Sequence, residues 1–269
     1  MNGEAPRWLD SHCHITAPDF DADRSEVLER ARAAGVETLI AIGSGYGVEH
    51  AARAPALAAR DPRIFATVGV HPHDARHWDA VAHRQVSAWL ELPRVVAVGE
   101  CGLDYWYEHS PREAQRRAFA EQVALARERD LPVSLHVRDR GEDAYEELLD
   151  IWRAEGGGAL RGVLHCYTHT EAYARRVLDA GLSISFSGIL TFQRDRGLRA
   201  VARALPLDRL LVETDAPLLA PEGQRGKRNE PAWLPRVGEL LAALHGRAPA
   251  EVAAATRANA RRLFRLPDA

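Results

Sequence analysis

Asp10-Ser11-His12-Cys13-His14 sets two imidazoles two residues apart early in the chain, and residues able to bind a cation recur at Glu100, His136, His165 and Asp215. In an extended segment side chains alternate between faces, so His12 and His14 point the same way and Cys13 the other. One strand can therefore offer two nitrogen ligands to one ion. A His-x-His pair alone is a weak signal, because it also arises without a metal. The four further imidazole and carboxylate residues strengthen it, and together the set points to a two-metal hydrolase.

Something must gather residues spread over two hundred positions. Short β-branched or apolar runs recur about every thirty residues, separated by amphipathic stretches of helical length, the pattern of repeated βα units. The spacing predicts eight strands, carried by residues 7–10, 38–42, 65–68, 95–98, 133–135, 162–164, 182–185 and 210–213. Each candidate ligand then falls at the carboxyl end of a strand, the rim where eight-stranded parallel barrels build active sites. Histidines that merely filled a core would have no reason to share one end. The chain thus reads as α/β, a single-domain TIM-like (β/α)8 barrel over residues 1–269. Among the helices, Ser110-Pro111-Arg112-Glu113 looks like a start, with Ser110 as the capping residue and Glu113 three positions on.

Of the 269 residues 46% are hydrophobic and 27% charged, with no apolar run long enough for a bilayer and no secretory leader. A protein of the cell interior, cytoplasmic and without a membrane partner, is expected. Cys13, Cys101 and Cys166 form no even-numbered framework and no CxxC pair, so they are expected to be reduced. Each neighbours a candidate ligand, and alternation would turn each away from the site to pack behind the barrel wall. A net charge of -3 argues against a broad nonspecific nucleic-acid surface, though not against a short end held in a pocket. Nearly all cations are arginine, Lys227 being the only lysine. Nothing in the amphipathic stretches demands a partner face, so a monomer is the default.

Seven motifs occur in order along the chain: Asp10-Ser11-His12-Cys13-His14, Gly69-Val70-His71-Pro72-His73, Gly99-Glu100-Cys101-Gly102-Leu103-Asp104-Tyr105, His136-Val137-Arg138-Asp139, His165-Cys166-Tyr167, Glu213-Thr214-Asp215-Ala216-Pro217 and Arg228-Asn229-Glu230-Pro231. Together they resemble the TatD family of metal-dependent deoxyribonucleases, within the amidohydrolase-like metallohydrolase barrels. The resemblance implies two divalent ions: His12 and His14 hold one with Asp215, His136 and His165 hold the other, and Glu100 bridges them. Many related barrels bridge through a carbamylated lysine on a strand, and Lys227 lies in a polar loop, which leaves Glu100. Zinc, manganese or magnesium would all accept such ligands, although four imidazoles are more than magnesium usually takes. Two ions about 3.5 to 4 Å apart can clamp the attacking and leaving oxygens of a phosphodiester. Asp215 would orient the attacking water and accept its proton.

Around these, the resemblance makes His71 a phosphate or leaving-group contact without a clear ligand role; the alternative is a histidine that fixes its loop. Arg138 suits bidentate phosphate contact or a rim ion pair. Arg228 and Asn229 fall near the substrate backbone by resemblance, or belong to a solvated charged stretch. Tyr105 and Trp106 either stack on a base or pack the fourth loop. The expected activity is a deoxyribonuclease, an exonuclease acting on single-stranded DNA ends. A metal-dependent ester or amide hydrolase such as a D-aminoacyl-tRNA deacylase is the alternative, because the same activated water attacks carbonyl carbon.

Overall fold

The computed structural model describes residues 5–156, 158–194 and 196–267. In chain order the elements are β1 (Trp8–Cys13), α1 (Arg24–Ala33), β2 (Val36–Gly43), α2 (Arg53–Ala58), β3 (Ile64–Val68), α3 (Ala80–Trp89), β4 (Val95–Asp104), α4 (Arg112–Glu128) and β5 (Val133–Arg138). They continue with α5 (Asp143–Gly156), β6 (Gly162–Leu164), α6 (Glu171–Asp179), β7 (Ser183–Phe186), α7 (Arg196–Ala204), β8 (Leu210–Val212), α8 (Leu234–His245) and α9 (Pro249–Phe264). The strands form one sheet in the order β1 to β8. The pairs β3–β4, β4–β5, β5–β6 and β7–β8 are parallel. Just beyond β8, the Asp215 amide donates to the His12 carbonyl and the His14 amide to the Ala216 carbonyl, which sets β1 beside β8. Alternating strands and helices in sheet order make the fold the expected (β/α)8 barrel. Among the described residues no helix is long and apolar enough to cross a membrane.

Residue contacts gather the chain into two compact units. The first holds β1, α1, the start of β2, α6 to β8, α8 and α9. Trp8, Phe20, Phe186, Leu211 and Leu241 are buried there. α8 closes on β1 because residue 238 is glycine: a Cβ at Gly238 would lie 2.1 Å from the Trp8 ring. The second unit runs from the end of β2 to β6, with Ile64, Val98, Leu103, Phe119 and Leu148 at its core. Here α4 also buries two glutamines. Gln122 accepts from the Val70 amide and donates to the Val70 carbonyl, and Gln115 does the same for Asp104. Each thereby satisfies the backbone of a segment that carries site residues.

Three local expectations need correction. β4 does not end near Glu100 but runs on to Asp104, because the pairing with β5 steps from Gly99–Ser134 to Cys101–Leu135 and leaves Glu100 as the bulged residue. A bulge lets one strand carry an extra residue and still resume its ladder. Ser110 does not cap α4. The helix begins at Arg112 with Pro111 at the cap position, and the Ser110 hydroxyl donates to the His73 carbonyl and accepts from the Arg76 amide. Alternation also fails for Cys166, since β6 ends at Leu164; this cysteine is half-buried at φ +47°, its Sγ 3.2 Å from Ser187 Oγ. Cys13 and Cys101 are buried as expected, and burial pushes both thiols up.

Candidate metal centre

In the first unit, alternation along β1 brings the two rings of the His-x-His pair together. His12 Nε2 and His14 Nε2 lie 3.3 Å apart, and they are 3.6 and 3.5 Å from Asp215 Oδ1. Those spacings fit a shared cation: ligand atoms about 2.1 Å from a tetrahedral zinc stand about 3.4 Å from one another. His165 joins the same group, its ring stacked on His12 with centroids 3.8 Å apart, and atoms of His12, His165 and Asp215 lie within ligating reach of one another. His165 Nδ1 is held 3.2 Å from Glu213 Oε1, which leaves Nε2 as the nitrogen available to a cation, the arrangement by which a carboxylate fixes the tautomer of a metal-bound imidazole. Glu213 is fully buried; its Oε1 also accepts from the Cys166 amide, while its Oε2 has no hydrogen-bond partner among the described residues.

Asp215 sits at φ +56°, in the left-handed region that few non-glycine residues occupy. Asp10 supports it from β1. Its carboxylate accepts from the Thr214 amide at 3.0 Å and the Thr214 hydroxyl at 2.5 Å, one residue before Asp215. Burial raises the Asp10 carboxyl to about 7 despite those bonds. Burial would raise Asp215 too, but the His14 hydrogen bond and the His12 and His165 rings outweigh it and hold Asp215 below its usual range.

The second unit carries a further group of candidate ligands. Atoms of His71, Glu100 and His136 lie within ligating reach of one another, with His136 Nδ1 2.9 Å and His71 Nε2 3.4 Å from Glu100 Oε1. His71, expected as a phosphate or leaving-group contact without a clear ligand role, stands among candidate ligands. Burial pushes its imidazole down to about 4, against the pull of Glu100, so it is neutral at physiological pH. On the far side of His136, Asp104 Oδ2 contacts His136 Nε2 at 3.1 Å and His73 Nε2 at 2.9 Å. Burial acts to raise the Asp104 carboxyl, yet those imidazole bonds keep it well below the ordinary carboxylate range. Among the described residues, the charge-bearing partners of Asp104, Glu213 and Asp215 are imidazoles. A buried carboxylate oxygen left without a hydrogen bond, as at Glu213, suits a nearby cation, and the donor chemistry of both groups fits one.

The remaining expected residues lie at varied places. Arg138, at the end of β5, is exposed and forms no ion pair among the described residues. Arg228 grips both oxygens of Asp23, at 2.8 and 2.6 Å, and donates to the Asp19 carbonyl. Asn229 is buried and donates to the Thr214 and Leu218 carbonyls, bracing the loop after β8. Tyr105 is buried under the Arg112 guanidinium, with its hydroxyl 2.6 Å from Glu147. Asp10, Asp104 and Glu213 received no role from the sequence, although each stands inside a quoted motif; Asp104 and Glu213 contact the His136 and His165 rings, and Asp10 holds Thr214 beside Asp215.

Known proteins extend these observations. A family model described as TatD related DNase matches residues 9–265. The chain is 44% identical over 262 residues to a protein of Cronobacter turicensis named 3'-5' ssDNA/RNA exonuclease TatD, covering 95% of this chain and 97% of that one. It is 38% identical over 258 residues to the uncharacterized metal-dependent hydrolase YabD of Bacillus subtilis, covering 96% and 99%. Among solved structures, YjjV, a TatD homolog from Escherichia coli, superposes with a TM-score of 0.89 at 33% identity, covering 97% of this chain and 99% of that one. A match from β1 to α9, over a barrel whose imidazoles and carboxylates form cation-binding groups, makes this chain a member of the TatD related DNase family and a metal-dependent hydrolase.

Proposed function

We propose that the bond cleaved is a phosphodiester, and that the protein is an exonuclease removing nucleotides from the 3' end of single-stranded DNA. The observation that carries this reading is Arg138. It follows His136 by two residues on β5, is exposed, and has no carboxylate partner among the described residues. A guanidinium without a carboxylate partner, beside a candidate metal ligand, suits a phosphate and has little to offer an uncharged ester. The names of relatives such as the Cronobacter protein support the same substrate and polarity.

In this reading His12, His14, His165 and Asp215 would hold one divalent cation, and His71, Glu100 and His136 would hold another. The metals supply charge to offset the phosphoryl oxygens and lower the pKa of water. Asp215, kept ionised, accepts the proton of the attacking water. Arg138 holds the phosphate in place, and neutral His71 offers its ring to the leaving group or to the second cation. Imidazole-rich groups favour zinc or manganese in the resting protein, with magnesium able to support turnover.

The test uses metal-stripped protein reloaded with magnesium, manganese or zinc, given end-labelled single-stranded DNA, single-stranded RNA and D-aminoacyl-tRNA. Laddering from the 3' end that is lost in Asp215→Asn and in Glu100→Ala supports the proposal. Intact DNA alongside complete deacylation would replace it with the ester hydrolase.

A further inference from the structure

Between β4 and α4 the chain exposes two large aromatic rings, Trp106 and Tyr107, at 40% and 50% of their surface. Such rings are rarely left in water next to one another without a use. Two guanidiniums accompany them. Arg138 lies 5.2 Å from the Trp106 ring and 5.0 Å from the Tyr107 ring, and Arg140 lies 4.9 Å from Trp106. Each guanidinium thus lies over its ring at cation–π distance, and both aromatic residues still keep a large share of their surface exposed. Both arginines are exposed, and neither forms an ion pair among the described residues. The intervening Asp139 forms no ion pair with them among the described residues: its carboxylate accepts from the amides of Arg140, Gly141 and Ala144 at the start of α5. By contrast, nearby Arg112 and Arg116 are paired with Glu108 and Glu147.

The rings also connect to the candidate metal ligands. Tyr107 stacks on exposed His109 at 5.7 Å and 5°, His109 meets His73 edge-on at 4.5 Å, and His73 meets His71 at 4.4 Å. Asp104 fixes this path, since its Oδ1 accepts from the Trp106 and Tyr107 amides while its Oδ2 contacts His73 and His136. We propose that Trp106, Tyr107, Arg138 and Arg140 form a subsite for the nucleotides behind the reacting end of a single strand. Successive bases stack on the two rings, and the guanidiniums take the phosphates between them. Aromatic faces with interleaved cations are how proteins hold single strands irrespective of sequence. This inference rests on the nuclease reading and places the strand's path on one named loop.

Binding is measured without turnover, by fluorescence anisotropy of labelled oligodeoxynucleotides of one to eight residues on chelator-treated full-length protein. The expected result is affinity that rises over the first few nucleotides. Trp106→Ala or Tyr107→Ala should weaken binding of the longer oligomers about 5- to 150-fold, the effect of losing one base stack, while leaving the mononucleotide unchanged. Trp106→Phe should restore most of the loss, and an abasic nucleotide should cost the native protein as much as the alanine variant costs intact DNA. Arg140→Gln should flatten the slope of log affinity against log salt by about 0.7. If the variants bind long oligomers as the native protein does while the native protein still ladders DNA, the subsite is wrong and the nuclease reading stands. Should the native protein neither bind nor cleave single strands, both are overturned.

Discussion

Asp104 stands against the far side of the His136 ring from Glu100. Its Oδ2 meets His136 Nε2, so His136 presents Nδ1 to Glu100, and its Oδ1 holds the two amides of the following loop. Replacing Asp104 by Asn keeps an acceptor for those amides but removes the charge that fixes the imidazole. We expect Asp104→Asn to weaken binding of the second cation about 10- to 100-fold, read by calorimetric titration of zinc into stripped protein, with an unchanged circular dichroism spectrum. The cation held with Asp215 should bind as before. At this scale the sequence was legible where a short-range rule applied. His12 and His14 converge because a strand has a period of two, and Asp215 Oδ1 lies 3.6 and 3.5 Å from them, whereas His165, which the resemblance set beside His136, gathers with His12 and Asp215. The roles of Asp104, Glu213 and Asp10 were not, because a carboxylate in a motif looks alike whether it binds a metal or steadies the residue that does. Tyr105 shows the same limit: the type suited base stacking, and the fold buried it under Arg112.

Elements were legible in number and order, and less so in their ends. Eight apolar runs marked eight strands, since each must bury side chains on both faces in a parallel sheet. The bulge at Glu100 left no trace in that pattern, because β4 is apolar before it and glycine-rich through it. Gly102 shows why the strand can continue. It pairs with His136 at φ +145°, and a Cβ there would lie 1.9 Å from the His136 carbonyl oxygen. Gly102→Ala would therefore have to push β4 from β5 at a candidate ligand, and we expect about 1–3 kcal/mol of destabilisation, measured by urea denaturation of the stripped protein. The Ser110 expectation failed for an equally local reason. Its hydroxyl found the His73 and Arg76 backbone before it could reach the first turn of α4.

For the molecule as a whole, the arginine-rich composition shows in how distant segments are tied. Arg228 and Arg30 bind Asp23, and Arg30 also holds Glu230 at 2.7 Å, so the polar loop after β8 is fastened to α1. Hydrogen bonding to Arg228 is the main reason the Asp23 carboxyl lies below its ordinary value. A carboxyl lowered in the folded state adds stability above its unfolded pKa of about 4 and loses it as the pH falls through the folded value. Arg228→Ala should accordingly lower the melting temperature at pH 7 by no more than about 2 °C, because the pair is solvent-exposed. The difference from the native protein should shrink toward pH 2, as scanning calorimetry across that range would show. In the same loop Lys227 is exposed, next to Gln224. As the sole lysine, it gives a lysine-specific protease a single side chain to cut after, and the products would be residues 1–227 and 228–269. α8 and α9 belong to the smaller piece, while Trp8, on which α8 closes, belongs to the larger. One nick would thus turn the chain into a two-fragment complementation system, in which reassembly reports directly on how firmly the last helices grip the barrel.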